Sequence, residues 1–208
     1  MHTATPFSWR SMLFVPASSD RFLESALKRP TDAIQLDLED SVAPDLKDSA
    51  RARIAELADR ASAAGYDVIV RINRPWRMMV RDIEACVRQS VQALTLPKVP
   101  DGSFIRAVAE ILDECELEAG LPRGHTRLIA MVEDAEGLHN MDGIAQAHPR
   151  VCAMIVGAED LAVSLRMAVD PDGLYVPNVM AVAACRRAGI APIGFVGSVA
   201  DFADREKF

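Results

Sequence analysis

Two acidic residues in the second half of the chain have the type and position expected of ligands to a metal ion. Glu133 follows the apolar run 127–132, and Asp160 comes soon after the apolar run 152–156, with no histidine or cysteine beside either. Two carboxylates suit Mg²⁺, because this ion keeps several waters and takes only one or two protein carboxylates. The alternative is that each carboxylate caps the helix that follows it. Together with the other polar strand ends described below, the pair predicts one Mg²⁺ ion held by Glu133 and Asp160.

A basic residue with apolar neighbours is the second candidate for chemistry. Arg71 lies inside the run VIVRIN, where strand alternation gives it apolar neighbours on its face. A buried arginine is costly unless an anion meets it. The functional interpretation is that Arg71 binds a substrate carboxylate or a developing enolate oxygen, and the alternative is an internal ion pair with Glu39 or Asp40. Both can hold at once, because a partner in the resting state can also orient the arginine.

The run DLED at 37–40 places further carboxylates at the end of a predicted strand. We expect Asp37 to be structural, whereas Glu39 and Asp40 are candidate catalytic residues that hold water molecules around the metal. Lys98, at the end of another strand, is a candidate contact for an anionic substrate. The alternative for Lys98 is a solvated lysine at a strand end.

Short apolar runs rich in β-forming residues alternate with longer segments of helical period, which predicts strands joined by amphipathic helices. Two of these helices show apolar residues at helical spacing, one before the third strand and one after the fourth. The seven predicted strands are 11–16, 33–38, 68–72, 93–97, 127–132, 152–156 and 190–196. The apolar helical positions are Leu46, Ala50, Ile54, Leu57, Ala58 and Ala61 in the earlier helix, and Phe104, Val108, Ile111, Leu112 and Cys115 in the later one.

Strict alternation of helices with strands that are apolar on both faces indicates a parallel sheet covered by helices, either doubly wound or closed into a barrel. Polar residues at the ends of many strands favour the barrel, because a doubly wound sheet concentrates its site at one crevice. The GxGxxG, Walker A and GxSxG sequences are absent. We therefore predict an α/β fold of the TIM-type (β/α) barrel class, as a single domain over 1–208. A full barrel usually needs about 250 residues, so the last β/α unit and the C-terminal segment are expected to be missing from this chain.

Composition argues against several classes of partner. Acidic residues outnumber basic ones by 30 to 23, for a formal charge of -7, so the chain repels nucleic-acid phosphates and anionic membrane surfaces. No apolar run approaches the roughly 18 to 20 residues of a membrane span, and the first residues (MHTATPFSW) show no signal-peptide pattern. The cysteines form no CxxC pair and are interpreted as reduced, mostly buried thiols. We predict a cytoplasmic protein with no nucleic-acid partner and no membrane partner.

Several of these segments resemble one family of enzymes. The succession RSMLFVPASSDRF, DAIQLDLEDSVAPDLKDSAR, VIVRIN, LTLPKV, LIAMVEDAEGLHN and MIVGAEDLA looks like the citrate lyase β-subunit family, or HpcH/HpaI aldolase family, which includes malyl-CoA and citramalyl-CoA lyases. The match spans nearly the whole chain. Its most specific pieces are LDLEDSVAPDLK with the downstream AR, and the pair VED and GAEDLA at their mutual spacing.

This resemblance implies a barrel enzyme that cleaves or forms a carbon–carbon bond in the CoA thioester of a small organic acid. It also implies that Glu133 and Asp160 hold the metal and that Arg71 binds the substrate. The family's CoA-contacting segment matches 14–21. The remaining implied contacts to substrate or CoA, besides Lys98, are Phe14, Ser18, Arg21, Gly157 and Ala158.

The sequence departs from the family's pattern at three places. Ala17 stands where a glycine is usual, Asp134 replaces a common threonine, and Pro177 and Asn178 stand where an arginine is frequent. Members of the family are commonly homotrimers or larger, with sites completed across subunits. The resemblance therefore implies a homo-oligomer. A barrel that ends in its seventh β/α unit would leave the edges of its first and seventh strands unpaired, so we expect either a neighbouring chain packed against 1–16 and 190–208 or a continuation beyond Phe208.

For such a thioester the implied reaction is a retro-Claisen cleavage, in which a base takes the hydroxyl proton and the carbon–carbon bond breaks to leave a thioester enolate. Mg²⁺ would bind oxygens of the departing keto acid, while Arg71 offsets the charge of an oxyanion. The sequence leaves the base open between Glu39, a metal-bound water and a group from a partner subunit. Two other functions also stay open, namely a class II pyruvate-type aldolase that acts on free acids and a non-catalytic barrel subunit.

Overall fold

In the computed structural model of the protein, residues 9–194 are described. All seven predicted strands are present, and the bounds of the first six agree with the prediction to within one residue. The last strand, predicted over 190–196, already ends at Ile193, so Gly194 lies outside it, and positions 195 and 196 fall outside the described residues. The strands are β1 (Met12–Pro16), β2 (Ala33–Asp37), β3 (Asp67–Arg71), β4 (Ala93–Leu96), β5 (Arg127–Val132), β6 (Val151–Val156) and β7 (Ala191–Ile193). The helices are α1 (Asp20–Ala26), α2 (Lys47–Ala63), α3 (Trp76–Cys86), α4 (Gly102–Glu118), α5 (Ala135–Ala145), α6 (Ala158–Leu165) and α7 (Pro171–Ala188).

The strands form one sheet in the order β1 to β7. The strand pairs with a defined register are parallel, for example β2 with β3, in which Asp37 lies opposite Arg71. A parallel sheet in chain order, with helices between successive strands, is the arrangement of the (β/α) barrel. The prediction of an α/β fold of TIM-barrel type with about seven strands is therefore confirmed.

The chain divides into two compact units. Within the described residues, the first comprises 9–96 and 109–128, and the second comprises 97–108 and 129–194. Strands β1 to β4 belong to the first unit, while β6, β7 and helices α5 to α7 belong to the second. Within the second unit α7 packs against α5, β6 and β7. The prediction that the whole chain is a single domain stays a prediction.

The strands of the first unit form its core. β2 and β4 are buried at every position, as expected of strands in a parallel sheet covered by helices. One polar contact lies inside this sheet, where the Thr95 hydroxyl donates to the side-chain oxygen of Gln35 at 2.7 Å. The apolar residues of these strands stabilise the unit by about 25 cal/mol for each Å² of apolar surface that folding removes from water.

Helix α2 buries one apolar face, which its sequence period predicts except at the first position. Leu46 belongs instead to a short 3₁₀ helix, Pro44–Leu46, and its side chain is 43% exposed. Pro44 fixes the backbone at the start of this turn, and the tighter turn takes Leu46 out of the helical period of α2. The prediction that Leu46 lies on the buried face is therefore wrong. The buried residues of α2 are Ala50, Ile54, Leu57, Ala58 and Ala61.

No helix within residues 9–194 is both long and apolar enough to cross a membrane. None of the four cysteines, all within residues 9–194, forms a disulfide, and Cys86 and Cys185 are buried. Burial raises the pKa of Cys185 to about 11, so this thiol stays protonated at neutral pH.

Leu57 and Leu46 provide a matched test of how α2 packs. We expect Leu57→Ala to lower the free energy of unfolding by about 2–5 kcal/mol, because truncating a buried leucine leaves a cavity. Leu46→Ala should change it by no more than about 0.5 kcal/mol, since this side chain is exposed at the surface. Urea unfolding followed by circular dichroism measures both values. Equal losses at the two positions would contradict the assignment of Leu46 to the exposed turn.

Candidate functional site

The two acidic residues predicted to bind a metal both contact Lys98, within the second unit. Glu133 directly follows β5, and its Oε2 accepts a hydrogen bond from the backbone N–H of Lys98, at 2.8 Å from the nitrogen. Asp160 lies in the first turn of α6, and its Oδ2 is 2.7 Å from Lys98 Nζ. One residue therefore joins the two carboxylates, through its backbone on one side and its side chain on the other.

Lys98 adopts a left-handed backbone conformation, with φ of 51°. Residues other than glycine rarely adopt positive φ, and those that do are frequent at functional sites. In this conformation the N–H of Lys98 points to Glu133, and the next N–H, that of Val99, donates to the carbonyl oxygen of Met131 at 3.1 Å. Both hydrogen bonds tie this turn to β5 and to the residue that follows it.

Gly157 makes room for the Glu133 carboxylate. A Cβ atom at position 157 would lie 2.4 Å from both Cγ and Oε1 of Glu133, which is closer than non-bonded atoms can approach. The Gly157 N–H also donates to the carbonyl oxygen of Val132 at 2.9 Å and so holds the start of α6 beside the end of β5. Close approach, and not an unusual φ, therefore requires glycine here. The prediction that Gly157 and Ala158 contact the substrate stays a prediction.

The N-cap residues of the helices that follow β5 and β6 are neither Glu133 nor Asp160. Asp134, and not Glu133, is the N-cap of α5, and its side chain accepts a hydrogen bond from the N–H of Gly137 at 2.7 Å. The N-cap of α6 is Gly157, which has no side chain to offer. The capping alternative is therefore wrong for Glu133. Aspartate and threonine are both good N-caps, so Asp134 can fill the role of the threonine it replaces.

The donor groups around Lys98 fit Mg²⁺. Two carboxylates are hard oxygen ligands, and this ion usually takes one or two of them while waters and substrate oxygens complete its shell. Within residues 9–194 no group of three or more histidine, cysteine, aspartate or glutamate side chains could hold a metal, which argues against a closed zinc site in that range. Glu133 is only 5% exposed, and a buried carboxylate is a group that a nearby cation stabilises.

In the first unit, Arg71 is surrounded by three carboxylates. Its Nε and Nη2 donate to the two carboxylate oxygens of Asp37, at 2.7 and 2.8 Å, in a bidentate pair. Its Nη1 lies 2.9 Å from Glu39 Oε2 and 3.4 Å from Asp40 Oδ2. The internal ion pair that the sequence offers as an alternative for Arg71 is therefore present.

Asp37 is the principal partner of Arg71, and sequence reasoning did not pair the two. A signal was available, because Asp37 closes β2 and Arg71 closes β3 at opposing positions of a parallel pair. Asp37 also organises the turn after β2, where it accepts hydrogen bonds from the N–H of Glu39 at 3.0 Å and from the Ser41 hydroxyl at 2.5 Å. These contacts agree with a structural role, but the pair with Arg71 makes Asp37 part of the candidate site as well.

Ion pairing outweighs burial in setting the pKa values of Asp37 and Arg71. Burial alone would raise the pKa of Asp37, but the hydrogen bonds and charge of Arg71 outweigh it and hold the pKa below its ordinary value. Burial acts to lower the pKa of Arg71, and the neighbouring carboxylates raise it above its ordinary value. Lys47 adds a second cationic side chain, with Nζ 2.8 Å from the carbonyl oxygen of Leu38 and 2.6 Å from that of Glu39.

A second buried aspartate fixes the backbone just beyond Arg71. Asp82 is fully buried, and its Oδ2 accepts hydrogen bonds from the backbone N–H and the side-chain amide of Asn73, at 2.8 and 2.7 Å. Its Oδ1 accepts a hydrogen bond from Arg51 Nε at 2.5 Å. Sequence reasoning missed Asp82 and Arg51, because both lie in helices and not at strand ends. An aspartate on the apolar face of α3 was the available signal.

Similarity to known proteins identifies the family of the chain. A sequence profile of the HpcH/HpaI aldolase/citrate lyase family matches residues 10–207. The chain belongs to this family.

Relatives in this family carry names of related reactions. The chain is 34% identical over 186 residues to the citrate lyase subunit beta of Leuconostoc mesenteroides subsp. cremoris, with 88% of this chain and 61% of that protein covered. It is 38% identical over 176 residues to a (3S)-malyl-CoA thioesterase of Cereibacter sphaeroides, with 83% and 56% covered. It is 32% identical over 222 residues to the L-malyl-CoA/beta-methylmalyl-CoA lyase of Rhodobacter capsulatus, with 96% and 69% covered. The chain therefore spans between 56% and 69% of the length of these relatives.

Solved structures show the same family fold. RipC from Yersinia pestis superposes with a TM-score of 0.71 at 28% identity, covering 93% of this chain and 79% of that one. Protein CitE from Mycobacterium tuberculosis, in complex with magnesium and acetoacetate, superposes with a TM-score of 0.68 at 27% identity, covering 88% and 71%.

The positions that the family resemblance assigns to CoA lie in and after β1. The ring centroid of Phe14 is 5.6 Å from Arg71 Cζ, so the aromatic face supports the guanidinium. Phe14 also lines a groove of about 440 Å³ along β1 and α1, to which Arg29 contributes. Ser18 is half-buried and Arg21 is exposed, and neither lines this groove. The structure therefore brings Phe14, but not the other two, to the groove.

Replacement by alanine should destabilise the protein at one glycine of the second unit and not at another. Gly157→Ala is expected to lower the free energy of unfolding by about 1–3 kcal/mol, because the new methyl group overlaps the Glu133 carboxylate and has to displace it. Gly143→Ala should leave it unchanged or raise it by up to about 1 kcal/mol, since a Cβ there meets nothing within 4 Å and alanine favours helix α5. Urea unfolding measures both. A Gly157→Ala protein as stable as the wild type would contradict the close packing of Glu133 on residue 157.

The Asp37–Arg71 pair should contribute stability that depends on pH. Asp37→Asn is expected to lower the free energy of unfolding at about pH 7 by about 2–4 kcal/mol, because it weakens the pairing of a buried arginine. The folded-state pKa of Asp37 lies below its ordinary value. Its contribution is therefore present above the unfolded pKa of about 3.9 and is lost as the pH falls through the folded pKa. The difference between wild type and variant should accordingly shrink below about pH 4.

Asp48→Asn is the matched control for this measurement. The Asp48 side chain is 84% exposed and pairs with Arg51 at the surface, so its loss should cost no more than about 1 kcal/mol. Urea unfolding of the three proteins at about pH 7 and about pH 3 gives the comparison. A loss in Asp37→Asn that equals the control, or that persists unchanged at the lower pH, would contradict the pairing.

Proposed function

We propose that this chain is a Mg²⁺-dependent carbon–carbon lyase. It would cleave or form a carbon–carbon bond in the acyl group of a small β-hydroxyacyl-CoA thioester, such as malyl-, citramalyl- or citryl-CoA. The observation that carries the proposal is the convergence of Glu133 and Asp160 on Lys98. The reaction class is supported by relatives named citrate lyase subunit beta and malyl-CoA lyase. The ion is supported by the solved relative in complex with magnesium and acetoacetate.

Glu133 and Asp160 are the proposed ligands of one Mg²⁺ ion. When bound, the ion supplies Lewis-acid chemistry by polarising the hydroxyl and carboxylate oxygens of the substrate. The contribution of the chain itself is to hold its ligands in place. Gly157 leaves space for the Glu133 carboxylate, and the N–H of Lys98 orients Oε2. One ligand is thereby fixed in advance, which lowers the entropy cost of forming the site.

The proposed reaction is a retro-Claisen cleavage. A base removes the proton of the β-hydroxyl group, and the electron pair of that O–H bond forms the carbonyl group of the departing oxo acid. The bond between the α- and β-carbons breaks, and its electron pair moves to the thioester as an enolate. Protonation of the enolate carbon gives the shorter acyl-CoA, so the reaction needs no oxidant or reductant.

Arg71 is the proposed residue that binds the substrate carboxylate or the enolate oxyanion. Asp37 holds one edge of its guanidinium through two hydrogen bonds, and Glu39 contacts Nη1 at 2.9 Å. Asp40 is the most distant partner, at 3.4 Å, and its side chain is 63% exposed. An incoming anion therefore replaces Asp40 at the lowest cost, while Asp37 and Glu39 position the arginine. The prediction that Glu39 and Asp40 hold waters around the ion stays a prediction.

The CoA thioester brings phosphate groups as well as the reacting acyl group, and these need cationic and small residues near them. The proposed contacts to substrate and CoA besides Arg71 are Phe14, Ser18, Arg21, Lys98, Gly157 and Ala158.

We also propose that the active form is a homotrimer or larger, as the family resemblance implies.

Removal of the charge of either proposed ligand should strongly weaken Mg²⁺ binding without unfolding the protein. Glu133→Gln and Asp160→Asn keep the side-chain shape and remove the charge, so we expect a loss of Mg²⁺ affinity of at least about tenfold. Glu136→Gln is the matched control, because Glu136 is exposed in the first turn of α5, and it should bind Mg²⁺ like the wild type. Isothermal titration calorimetry measures the affinity, and circular dichroism checks the fold. Wild-type affinity in both ligand variants would contradict the site.

The activity is tested with malyl-CoA, citramalyl-CoA and citryl-CoA, in Mg²⁺ and in EDTA. We expect acetyl-CoA and the oxo acid to appear together, only with the ion, and not with Glu133→Gln. A free CoA thiol without oxo acid would instead show thioester hydrolysis, for which the malyl-CoA thioesterase relative is named. Cleavage of free hydroxy acids alone would indicate the aldolase, and binding of neither Mg²⁺ nor acetyl-CoA would indicate the non-catalytic subunit. Any of these three outcomes would overturn the proposal.

A further inference from the structure

Lys98 contacts the two proposed metal ligands in two different ways. Its backbone N–H donates to Glu133 Oε2 at 2.8 Å, whereas its ammonium group pairs with Asp160 Oδ2 at 2.7 Å. The first contact is the same for any side chain at position 98. The second depends on the charge at the end of a flexible chain, and both partners are accessible, with side-chain exposures of 40% for Lys98 and 37% for Asp160. Only the second contact can be exchanged without moving the backbone.

We infer that the Lys98 ammonium is a built-in counter-ion of Asp160, which Mg²⁺ displaces when it binds and which then binds an anionic group of the substrate. The inference rests on the proposed metal site at Glu133 and Asp160. It gives Lys98 a defined order of action, with Asp160 as its partner before the ion arrives and the substrate as its partner afterwards.

Competition for Asp160 is the first step of the argument. An ammonium group and a divalent ion both draw on this carboxylate, and two cations a few ångströms apart repel each other. The ion needs short, direct carboxylate bonds, whereas the ammonium at a half-exposed pair contributes little and is readily hydrated. The ammonium is therefore the group that moves, and the resting pair reduces the affinity for the ion.

Retention of Glu133 is the second step. The positive φ of Lys98 directs its N–H to Glu133, and this backbone contact remains when the side chain leaves. Gly157 keeps the space that the Glu133 carboxylate fills. The displaced ammonium, tethered beside the loaded site, is then available to a carboxylate or a phosphate of the substrate.

The test compares Mg²⁺ affinity, measured by isothermal titration calorimetry, in wild type, Lys98→Met, Lys98→Arg and Lys28→Met. Methionine keeps the length of the side chain and removes its charge, so we expect Lys98→Met to bind Mg²⁺ about three- to fivefold more tightly. Lys98→Arg keeps the charge and should stay within about twofold of the wild type. Lys28 is exposed in the first unit, so Lys28→Met controls for the change in net charge and should also resemble the wild type.

A second measurement uses anions in saturating Mg²⁺, with oxaloacetate as a probe that carries only carboxylates and acetyl-CoA as one that carries only phosphates. Lys98→Met should weaken the binding of one of them about three- to tenfold, and the probe affected identifies the group that Lys98 meets. Opposite changes in the two affinities, tighter for the ion and weaker for an anion, support the inference. A side chain with a merely structural role would weaken both.

The outcomes separate this inference from the proposed function. If Glu133→Gln abolishes Mg²⁺ binding but Lys98→Met binds the ion no more tightly than wild type, the metal site stands and the counter-ion role is overturned. Tighter Mg²⁺ binding with both anion affinities unchanged overturns the transfer of Lys98 to the substrate. If neither wild type nor Lys98→Met binds Mg²⁺, the proposed metal site fails and the inference fails with it.

Discussion

Charge buried at the ends of parallel strands has to meet an opposite charge, and this constraint shapes the first unit. An ion removed from water costs several kcal/mol unless a partner and hydrogen bonds compensate for it. Arg71 closes β3, and Asp37 closes β2 at the opposing register position, so the parallel pairing itself supplies the partner. The turn after β2 then folds around Asp37, through the Glu39 N–H and the Ser41 hydroxyl. The Asp37–Arg71 pair therefore helps to fix the acidic DLED segment, together with Lys47, which donates to the carbonyl oxygens of Leu38 and Glu39.

The second unit meets the same constraint with a lysine. The planar guanidinium of Arg71 is held by two parallel hydrogen bonds and is mostly buried, which suits a group that has to keep one orientation. The ammonium of Lys98 is a point charge on a flexible stem, which suits a group that changes partners. Rigid and exchangeable cations are thus placed on different units, each beside the acidic residues that its chemistry can serve.

Local patterns predicted the elements, whereas contacts between elements needed the structure. Short apolar runs rich in β-forming residues predicted all seven strands, because such a run is a property of a few neighbouring residues. The same strand ends pointed to Glu133, Asp160 and Arg71, because parallel strands bring their carboxyl ends to one edge. The pairing of Asp37 with Arg71 depends on strand register, and the contacts of Asp82 depend on where α3 lies on the sheet. Neither the register nor the position of a helix is fixed by the period of a single sequence.

Gly157 and Glu133 occupy one shared volume, which couples the two positions in any change of sequence. Adding a single methyl group at 157 forces the acid at 133 to retreat. Shortening that acid to aspartate would make the room, but it would draw the carboxylate back from the N–H of Lys98. Neither of these single substitutions preserves the arrangement, so a sequence that changes one position at a time passes through a variant in which the Glu133 site is disturbed. A library that aims to alter this site should therefore vary the two codons jointly.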